Sequence, residues 1–160
     1  MPERALQDQA ARDTIRTALD RNLMALAGAG AGKTHELIER MVACVRTGRA
    51  EVDRMAAITF TRKAAGEMRG RFFVRLQEEM GRARGEEEIR VRQGLEKVDQ
   101  CFIGTIHSFC GQLLRARPLE AGLAPDFTEI EEREESVLRR EAWDRFIRVR
   151  LFCIDKHLIV

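Results

Sequence analysis

The sequence lacks any apolar run of the roughly 18 residues that a membrane-spanning helix needs, so we expect no membrane contact. It also lacks a strong excess of charge: the formal net charge is +2, which by itself does not indicate a nucleic-acid partner. The four cysteines include no C-x-x-C pair, which disfavours a metal centre and indicates reduced thiols packed as small apolar side chains. The polar N-terminus shows no secretory signal, so we expect a cytoplasmic protein.

What the sequence does contain is an alternation of apolar runs and helical stretches. Residues 22–27, 55–60 and 101–106 are short apolar runs that predict buried strands. Each precedes a segment with apolar residues at helical spacing, and strand–helix units in series predict an α/β fold with a parallel sheet. The charged segment 81–100 predicts an exposed, partly irregular helix, and residues 128–150 predict one long helix.

A glycine-rich stretch joins the first predicted strand to its helix. Backbone N–H groups surround a polyphosphate only where side chains do not block the approach, and the following helix directs its positive end at the same anion. Lys33 would reach the β- and γ-phosphates of a nucleotide, and the Thr34 hydroxyl would bind Mg²⁺. The alternative is a glycine turn with an incidental lysine. The predicted nucleotide-binding residues are Ala27, Gly28, Ala29, Gly30, Ala31, Gly32, Lys33 and Thr34.

The general phosphate-loop pattern begins with glycine, but this chain has Ala27 at that position. With this alanine, the chain resembles the UvrD/Rep/RecB-type superfamily 1 DNA helicases. Two later stretches are similar to further motifs of that family, in the same order. Segments 81–100 and 117–132 look closest to the AddA/RecB helicase–nuclease branch, and the likeness covers about residues 8–145. The three stretches are AGAGAGKT (27–34), ITFTRKAAGEMRGR (58–71) and IGTIHSFCGQLLR (103–115).

The resemblance implies an incomplete P-loop NTPase (RecA-like) parallel sheet flanked by helices, with ATP and Mg²⁺ as cofactors. It implies a DNA-repair enzyme that uses ATP hydrolysis to translocate along single-stranded DNA and unwind duplex, with a nuclease partner subunit. Residues 1–117 would be the N-terminal part of the first motor domain. Residues 118–160 would begin a helical inserted subdomain or form a non-homologous tail, because Pro118 and Pro125 bracket a loop there.

The second motif is assigned to single-stranded DNA by this resemblance. Phe60 would stack on a base, and Thr61, Arg62 and Lys63 would contact phosphates. The residues alone leave alternatives open, since Phe60 could instead end a strand in the core, and the two basic residues could begin a solvated helix. Two further arginines would extend this basic surface along the next helix, namely Arg69 and Arg71.

The third motif supplies further predicted DNA contacts at Thr105, His107 and Ser108. Their place at a strand end before a helix suits either phosphate contact or helix capping. The family also reads adenine with a glutamine ahead of the phosphate loop. Gln9 is the candidate here, although Ala11 or Arg12 stands nearer the expected position.

Hydrolysis needs a carboxylate to hold Mg²⁺, a second to orient water, and arginines to neutralise the phosphoryl group. The family's D-E-x-Q-D stretch is not found before Val160, so we expect this N-terminal fragment alone to bind nucleotide with little turnover. One alternative is a non-catalytic nucleotide-binding fragment or truncated gene product. Another is a small self-contained ATPase or kinase that uses Asp155, at the end of the apolar run 151–154.

Overall fold

The computed structural model describes residues 8–130 and 132–155. Short 3₁₀ turns at Val52–Arg54 and Val98–Gln100 precede the two strands. The chain divides into two units after Gln112, and the predicted domain limits of 1–117 and 118–160 stay a prediction. The elements in chain order are α1 (Gln9–Thr17), α2 (Lys33–Thr47), β1 (Ala56–Thr59), α3 (Arg62–Arg82), α4 (Glu86–Glu96), β2 (Phe102–Thr105), α5 (Ile106–Ala116) and α6 (Glu132–Asp155).

The second and third predicted strands form a parallel sheet. β1 pairs with β2 from Ala56 opposite Phe102 to Thr59 opposite Thr105. Helices α3 and α4 connect the two strands, as a parallel pairing requires. The mixed helix–strand fold with a parallel sheet is therefore confirmed for these two strands.

The first predicted strand, residues 22–27, is absent from the sheet, and this part of the prediction is wrong. Met24 and Leu26 are each 86% exposed, although the prediction had them buried. A strand with apolar residues on both faces needs neighbours that cover it and pair with it. Among the described residues, the sheet contains β1 and β2 alone. The local composition of residues 22–27 thus favours a strand, but the described residues supply no strand that pairs with it.

The core lies where α2, α3 and α4 pack against the sheet. Ile38, Phe72, Leu76 and Val91 are at most 1% exposed. α2 ends at Gly48, which has a φ of 72° and donates its N–H to the carbonyls of Cys44 and Val45. The apolar spacing and the glycine together explain why this helix could be predicted.

The charged segment 81–100 is less exposed than predicted. Its helix α4 turns Val91 into the core. Gly94 permits this approach, since a Cβ at that position would lie 2.8 Å from Cγ1 of Val45 and 3.1 Å from Cγ2 of Val52. Val91, Gly94 and the partly buried Leu95 therefore form the packed face of a helix whose other positions are mostly charged.

The second unit contains the predicted long helix, which runs from Glu132 to Asp155 as α6. Residues 151–155 are helical, so the strand considered before Asp155 is not formed. Residues 156–160 lie outside the described part of the chain. Ahead of α6, Arg115 donates to Glu129 at 2.7 Å. No helix among the described residues is both long and apolar enough to cross a membrane.

Candidate nucleotide site and DNA-contact edge

The glycine-rich loop turns sharply into α2. Gly30 and Gly32 adopt the left-handed backbone conformation, with φ values of 77° and 82°. Residues with a Cβ rarely adopt this conformation, so the two glycines permit the turn before α2 begins at Lys33. The N–H groups of a first helical turn carry partial positive charge, which favours an anion at this end of α2.

The side chain of Lys33 lies over the loop that precedes it. Its ammonium group donates to the carbonyl oxygens of Ala27 and Gly28 at 2.7 and 2.6 Å. Thr34 follows in the first turn of α2, and its side chain is exposed. The loop therefore carries a positive charge on its concave backbone and has a hydroxyl next in sequence, although the assignment of both residues to nucleotide stays a prediction.

A buried carboxylate connects the loop to the preceding helix. Glu36, in the first turn of α2, is 4% exposed. It accepts hydrogen bonds from Arg12 at 2.8 Å and from Arg16 at 2.8 and 2.9 Å. Arg12 also donates to both carboxylate oxygens of Asp8 and to the carbonyl of Ala31 in the loop. The bonds from Arg16, and then those from Arg12, lower the pKa of Glu36, while burial opposes this shift.

Sequence analysis missed this cluster, although one signal for it was present. Asp8, Arg12 and Arg16 follow one another at four-residue intervals, which places their side chains on one face of α1. That face meets α2 at Glu36. The spacing alone indicates a charged face, but it does not indicate that the face is turned toward the loop.

The end of α1 is also fixed to α2. One guanidinium, that of Arg40, donates to the carbonyl oxygens of Ile15 at 2.7 Å, Ala18 at 3.0 Å and Arg21 at 3.0 Å. These carbonyls belong to the last turn of α1 and the residues after it, which have no intrahelical partner of their own. Arg40 therefore anchors the chain at the point where it leaves α1 for the glycine-rich loop.

A cleft of about 640 Å³ opens beside the loop, between α1, residues 22–27 and α2. Gln9, the predicted adenine-reading residue, donates its amide to Asp13 of the same helix at 2.8 Å. Its role with adenine stays a prediction. The cleft walls include Ala11, Arg12, Leu23, Met24, Lys33 and Leu37.

The two predicted DNA motifs come together at one edge of the sheet. Thr59 and Thr105, the last residues of β1 and β2, lie opposite each other in the parallel register. The motif residues that follow each strand therefore begin side by side, at the amino-terminal ends of α3 and α5. Two helix N-termini at one edge favour the binding of anionic groups such as phosphates. We call this region the strand-end edge, defined by residues 59–63 and 105–108.

On the β1 side of the edge, Phe60 is 96% exposed, so the alternative that it ends the strand in the core is wrong. Thr61 caps α3, and its hydroxyl oxygen accepts a hydrogen bond from the N–H of Ala64 at 3.1 Å. Arg62 and Lys63 are exposed in the first turn of α3. An aromatic ring and two cations are therefore accessible on this side.

On the β2 side of the edge, Thr105 and Ser108 bond each other reciprocally. The N–H of Thr105 donates to the Ser108 hydroxyl at 2.9 Å, and the N–H of Ser108 donates to the Thr105 hydroxyl at 3.3 Å. This arrangement resembles a capping box, so the capping alternative is realised for these two residues. Gly104 makes room for it, because a Cβ there would lie 2.8 Å from the Ser108 hydroxyl oxygen. His107 is exposed between them.

Arg69, predicted to extend the basic surface, also makes a contact within the fold. Its guanidinium donates to the carbonyl of Ile103 at 2.9 Å and thereby holds α3 against β2. Arg71 lies 4.0 Å from Glu67, which offsets part of its charge. Both arginines nevertheless remain exposed on α3, and their place in a basic surface that continues from Arg62 and Lys63 stays a prediction.

The three cysteines whose side chains the structure describes are free thiols. They are Cys44, Cys101 and Cys110, and burial raises the pKa of Cys101 to about 11. The side chain of Cys153 lies outside the described part of the structure. Within that part, no group of three or more His, Cys, Asp or Glu residues is placed to hold a metal ion.

Comparison with known proteins identifies the family. The sequence profile described as UvrD/REP helicase N-terminal domain matches residues 7–155. This chain belongs to that family. The resemblance noted from the three motifs is therefore confirmed, and the UvrD/REP helicase match extends over the glycine-rich loop, both strands and α6.

Three relatives are each named as a subunit of an ATP-dependent helicase/nuclease. The protein of Desulforudis audaxviator is 38% identical over 133 residues, which cover 79% of this chain and 10% of that protein. The protein of Heliobacterium modesticaldum is 38% identical over 128 residues, or 80% and 9% of the two chains. The protein of Alkaliphilus metalliredigens is 37% identical over 121 residues, or 76% and 10%. This chain thus spans about a tenth of the length of these relatives.

Proposed function

We propose that this chain is the ATP-binding N-terminal region of a UvrD/RecB-like, ATP-dependent DNA helicase. The observation that carries the proposal is the loop from Ala27 to Thr34, whose two left-handed glycines run directly into α2. Lys33 adds to this, because its ammonium group bonds the carbonyls of Ala27 and Gly28 and so places a positive charge at the loop. The whole enzyme would couple ATP hydrolysis to movement along single-stranded DNA and to duplex unwinding.

The glycines, Lys33 and Thr34 would each contact a different part of MgATP. The glycines let backbone N–H groups approach the phosphates, and Lys33 would exchange its two carbonyl acceptors for phosphate oxygens. The Thr34 hydroxyl would supply one oxygen ligand to Mg²⁺, and the cation would supply positive charge against the phosphates. The residues present fit this cofactor pair, because the backbone cradle, the cation and the hydroxyl are all supplied by residues 27–34.

Rapid ATP hydrolysis needs more groups than the glycine-rich loop supplies. Phosphoryl transfer needs a carboxylate on Mg²⁺ and arginines on the transferring group. No cluster of three acidic, histidine or cysteine side chains among the described residues could hold the cation in their place. We therefore propose that the chain alone binds MgATP with little turnover, and that its two-stranded parallel sheet belongs to a RecA-like P-loop fold.

The DNA partner is proposed from the strand-end edge, where Phe60 offers a ring for base stacking and Arg62 and Lys63 offer charge for phosphates. The relatives are named as subunits of a helicase/nuclease, which supports a nuclease partner subunit for the whole enzyme. The role in DNA repair is proposed on the same ground.

The proposal is tested by titrating MgATP into the 160-residue chain and by measuring phosphate release with and without a single-stranded oligonucleotide. We expect saturable binding, and we expect Lys33→Ala to weaken it by about tenfold or more, since the variant removes a charge-assisted hydrogen bond to phosphate. Arg92→Ala is the matched control, because it removes an exposed cation that pairs with Glu88 on α4.

The remaining outcomes separate the alternatives. Binding with little turnover supports the proposal for the isolated chain. DNA-stimulated turnover that Lys33→Ala abolishes would show that these residues already form an active motor. Turnover independent of DNA and lost in Asp155→Asn would favour a self-contained ATPase. Absence of MgATP binding by the unmodified chain contradicts the proposal.

A further inference from the structure

Arg12 joins three parts of the molecule around the phosphate loop. From α1, its guanidinium donates to Glu36 of α2 at 2.8 Å and to the Ala31 carbonyl of the loop at 3.0 Å. Two more bonds, at 2.9 and 3.0 Å, go to the carboxylate of Asp8. The Arg12 side chain is 15% exposed, so little water competes for these bonds. Asp8 and Glu36 thus fix the guanidinium, and the guanidinium in turn fixes a carbonyl of the loop.

The contact with Ala31 determines the direction of a neighbouring N–H group. In a trans peptide the C=O and the following N–H point to opposite sides of the chain. Because the Ala31 carbonyl points at Arg12, the N–H of Gly32 points away from Arg12. Among the described residues, this N–H donates to no oxygen. It is therefore available to a ligand.

The backbone alone does not fix the orientation of the peptide between Ala31 and Gly32. Gly32 has a φ of 82° and lacks a Cβ, so it can adopt several conformations at low cost. If the peptide between Ala31 and Gly32 turned over, the loop would present a carbonyl oxygen to an anionic phosphate and lose one donor. The position also excludes other residues, since a Cβ on Gly32 would lie 3.2 Å from Nη1 of Arg12.

We propose that Arg12 is a positioning residue for the phosphate loop. It holds the Ala31 carbonyl outward so that the Gly32 N–H is directed at the polyphosphate. This inference rests on the proposed binding of MgATP. It assigns Arg12 a role with the phosphates and not with the adenine base.

Arg16 provides a matched control within the same cluster. It lies one turn along α1 and donates two bonds to the same Glu36 carboxylate, yet its bonds do not extend to the loop. Loss of Arg16 therefore removes an ion pair of the same kind without releasing the Ala31 carbonyl. A purely structural role for the cluster predicts that loss of either arginine affects binding alike.

The experiment measures MgATP and Mg-tripolyphosphate binding by the 160-residue chain and its Arg12→Gln, Arg12→Lys and Arg16→Gln variants, together with their thermal unfolding. We expect Arg12→Gln to weaken both ligands by about tenfold, the effect of one lost charged hydrogen bond. Arg16→Gln should stay within about twofold of the unmodified chain, although it unfolds at a lower temperature. Arg12→Lys keeps the charge beside Asp8 and Glu36 and should recover part of the affinity.

Three results would overturn the inference. Equal loss of affinity in Arg12→Gln and Arg16→Gln would make the cluster structural only. Weaker MgATP binding with unchanged tripolyphosphate binding would place Arg12 at the base instead. If Arg12→Gln does not fold, the comparison rests on Arg12→Lys, and unchanged affinity in that variant would overturn the inference. A failure of the unmodified chain to bind MgATP would instead remove the proposed function, which Lys33→Ala tests separately.

Discussion

At the scale of single residues, the carboxylate of Glu36 is shared by two arginines of one helix while lying in the first turn of another. A negative charge near a helix N-terminus is favourable, and the two guanidinium groups compensate for its burial. Breaking such a pair leaves the partners' charges unmatched, so the cluster is sensitive to the ionisation state of this one group. Its lowered pKa is the measurable sign of that dependence.

We predict that Glu36→Gln lowers the stability of the chain at neutral pH and that the difference shrinks in acid. A carboxylate with a folded-state pKa below its ordinary value stabilises the fold above that value, and the stabilisation is lost as pH falls through the folded-state pKa. The loss at pH 7 should be on the order of 1–2 kcal/mol, in the lower range for charged hydrogen bonds, because Arg16 is partly exposed and water screens it. Urea unfolding of both chains between pH 7 and pH 3 measures the difference in their free energies of unfolding.

Glu67→Gln is the control for this titration, because Glu67 is exposed and lies 4.0 Å from its nearest basic partner. Its effect should stay below about 0.5 kcal/mol. A gap between Glu36→Gln and the unmodified chain that remains constant down to pH 3 would contradict the ionic role of Glu36.

At the scale of elements, α3 and α5 each begin within a few residues of a strand end. Neither helix could place its motif alone, since a parallel pairing is needed to bring residues 59–63 beside residues 105–108. The hydroxyls of Thr61 and Thr105 already serve as caps, so exposed cations and the Phe60 ring are the groups left for a nucleic acid. The strand-end edge therefore depends on the register in which β1 pairs with β2, and neither motif forms it alone.

We predict that Arg62→Ala combined with Lys63→Ala weakens single-stranded DNA binding by about tenfold and flattens its salt dependence. Removing one cation from a phosphate should reduce the slope of log K against log salt by about 0.7. Fluorescence anisotropy of a labelled oligonucleotide, titrated at several salt concentrations, measures both quantities. Phe60→Ala should weaken binding while leaving the slope unchanged, because stacking releases no counterions.

The control for charge is Arg82→Ala combined with Arg92→Ala, which removes two exposed cations elsewhere. Arg82 ends α3 about 30 Å from its first turn, by the 1.5 Å rise of a helical residue. If this control flattens the salt dependence as much as the edge variant does, DNA contact is not specific to the strand-end edge.

At the scale of the whole molecule, apolar surface remains uncovered. Residues 22–27 lie exposed although their composition is that of a buried strand, and β1 and β2 pair only with each other among the described residues. Exposed apolar segments and open sheet edges favour contact with other chains. The fold thus has a closed core around α2, α3 and α4 and an open side at residues 22–27.

We predict that the 160-residue chain self-associates as its concentration rises and that Met24→Gln with Leu26→Gln reduces this association. Sedimentation velocity over a concentration series measures the effect. Leu119→Gln is the control, because Leu119 is 77% exposed but lies in the second unit. A chain that stays monomeric at all concentrations, or an equal effect of the control, contradicts a role for residues 22–27.

The parts of this fold that could be predicted from sequence are those with local signals. α2 was predictable because its apolar residues repeat at helical spacing and Gly48 ends it. The turn before α2 was predictable because its glycines permit a left-handed backbone. The exposed, non-strand conformation of residues 22–27 was not predictable, because a strand depends on partners distant in the chain. The pairing of Arg12 with Glu36 spans 24 residues, so no local pattern reveals it.

The three bonds of Arg40 have a consequence for the flexibility of the phosphate loop. They fix the chain as it leaves α1, and Arg12 fixes it again at Ala31, so the intervening span is tied down at both ends before any ligand arrives. Closing a flexible span costs conformational entropy. Here that cost falls on folding, so a polyphosphate bound as proposed would meet a loop whose ends are already fixed.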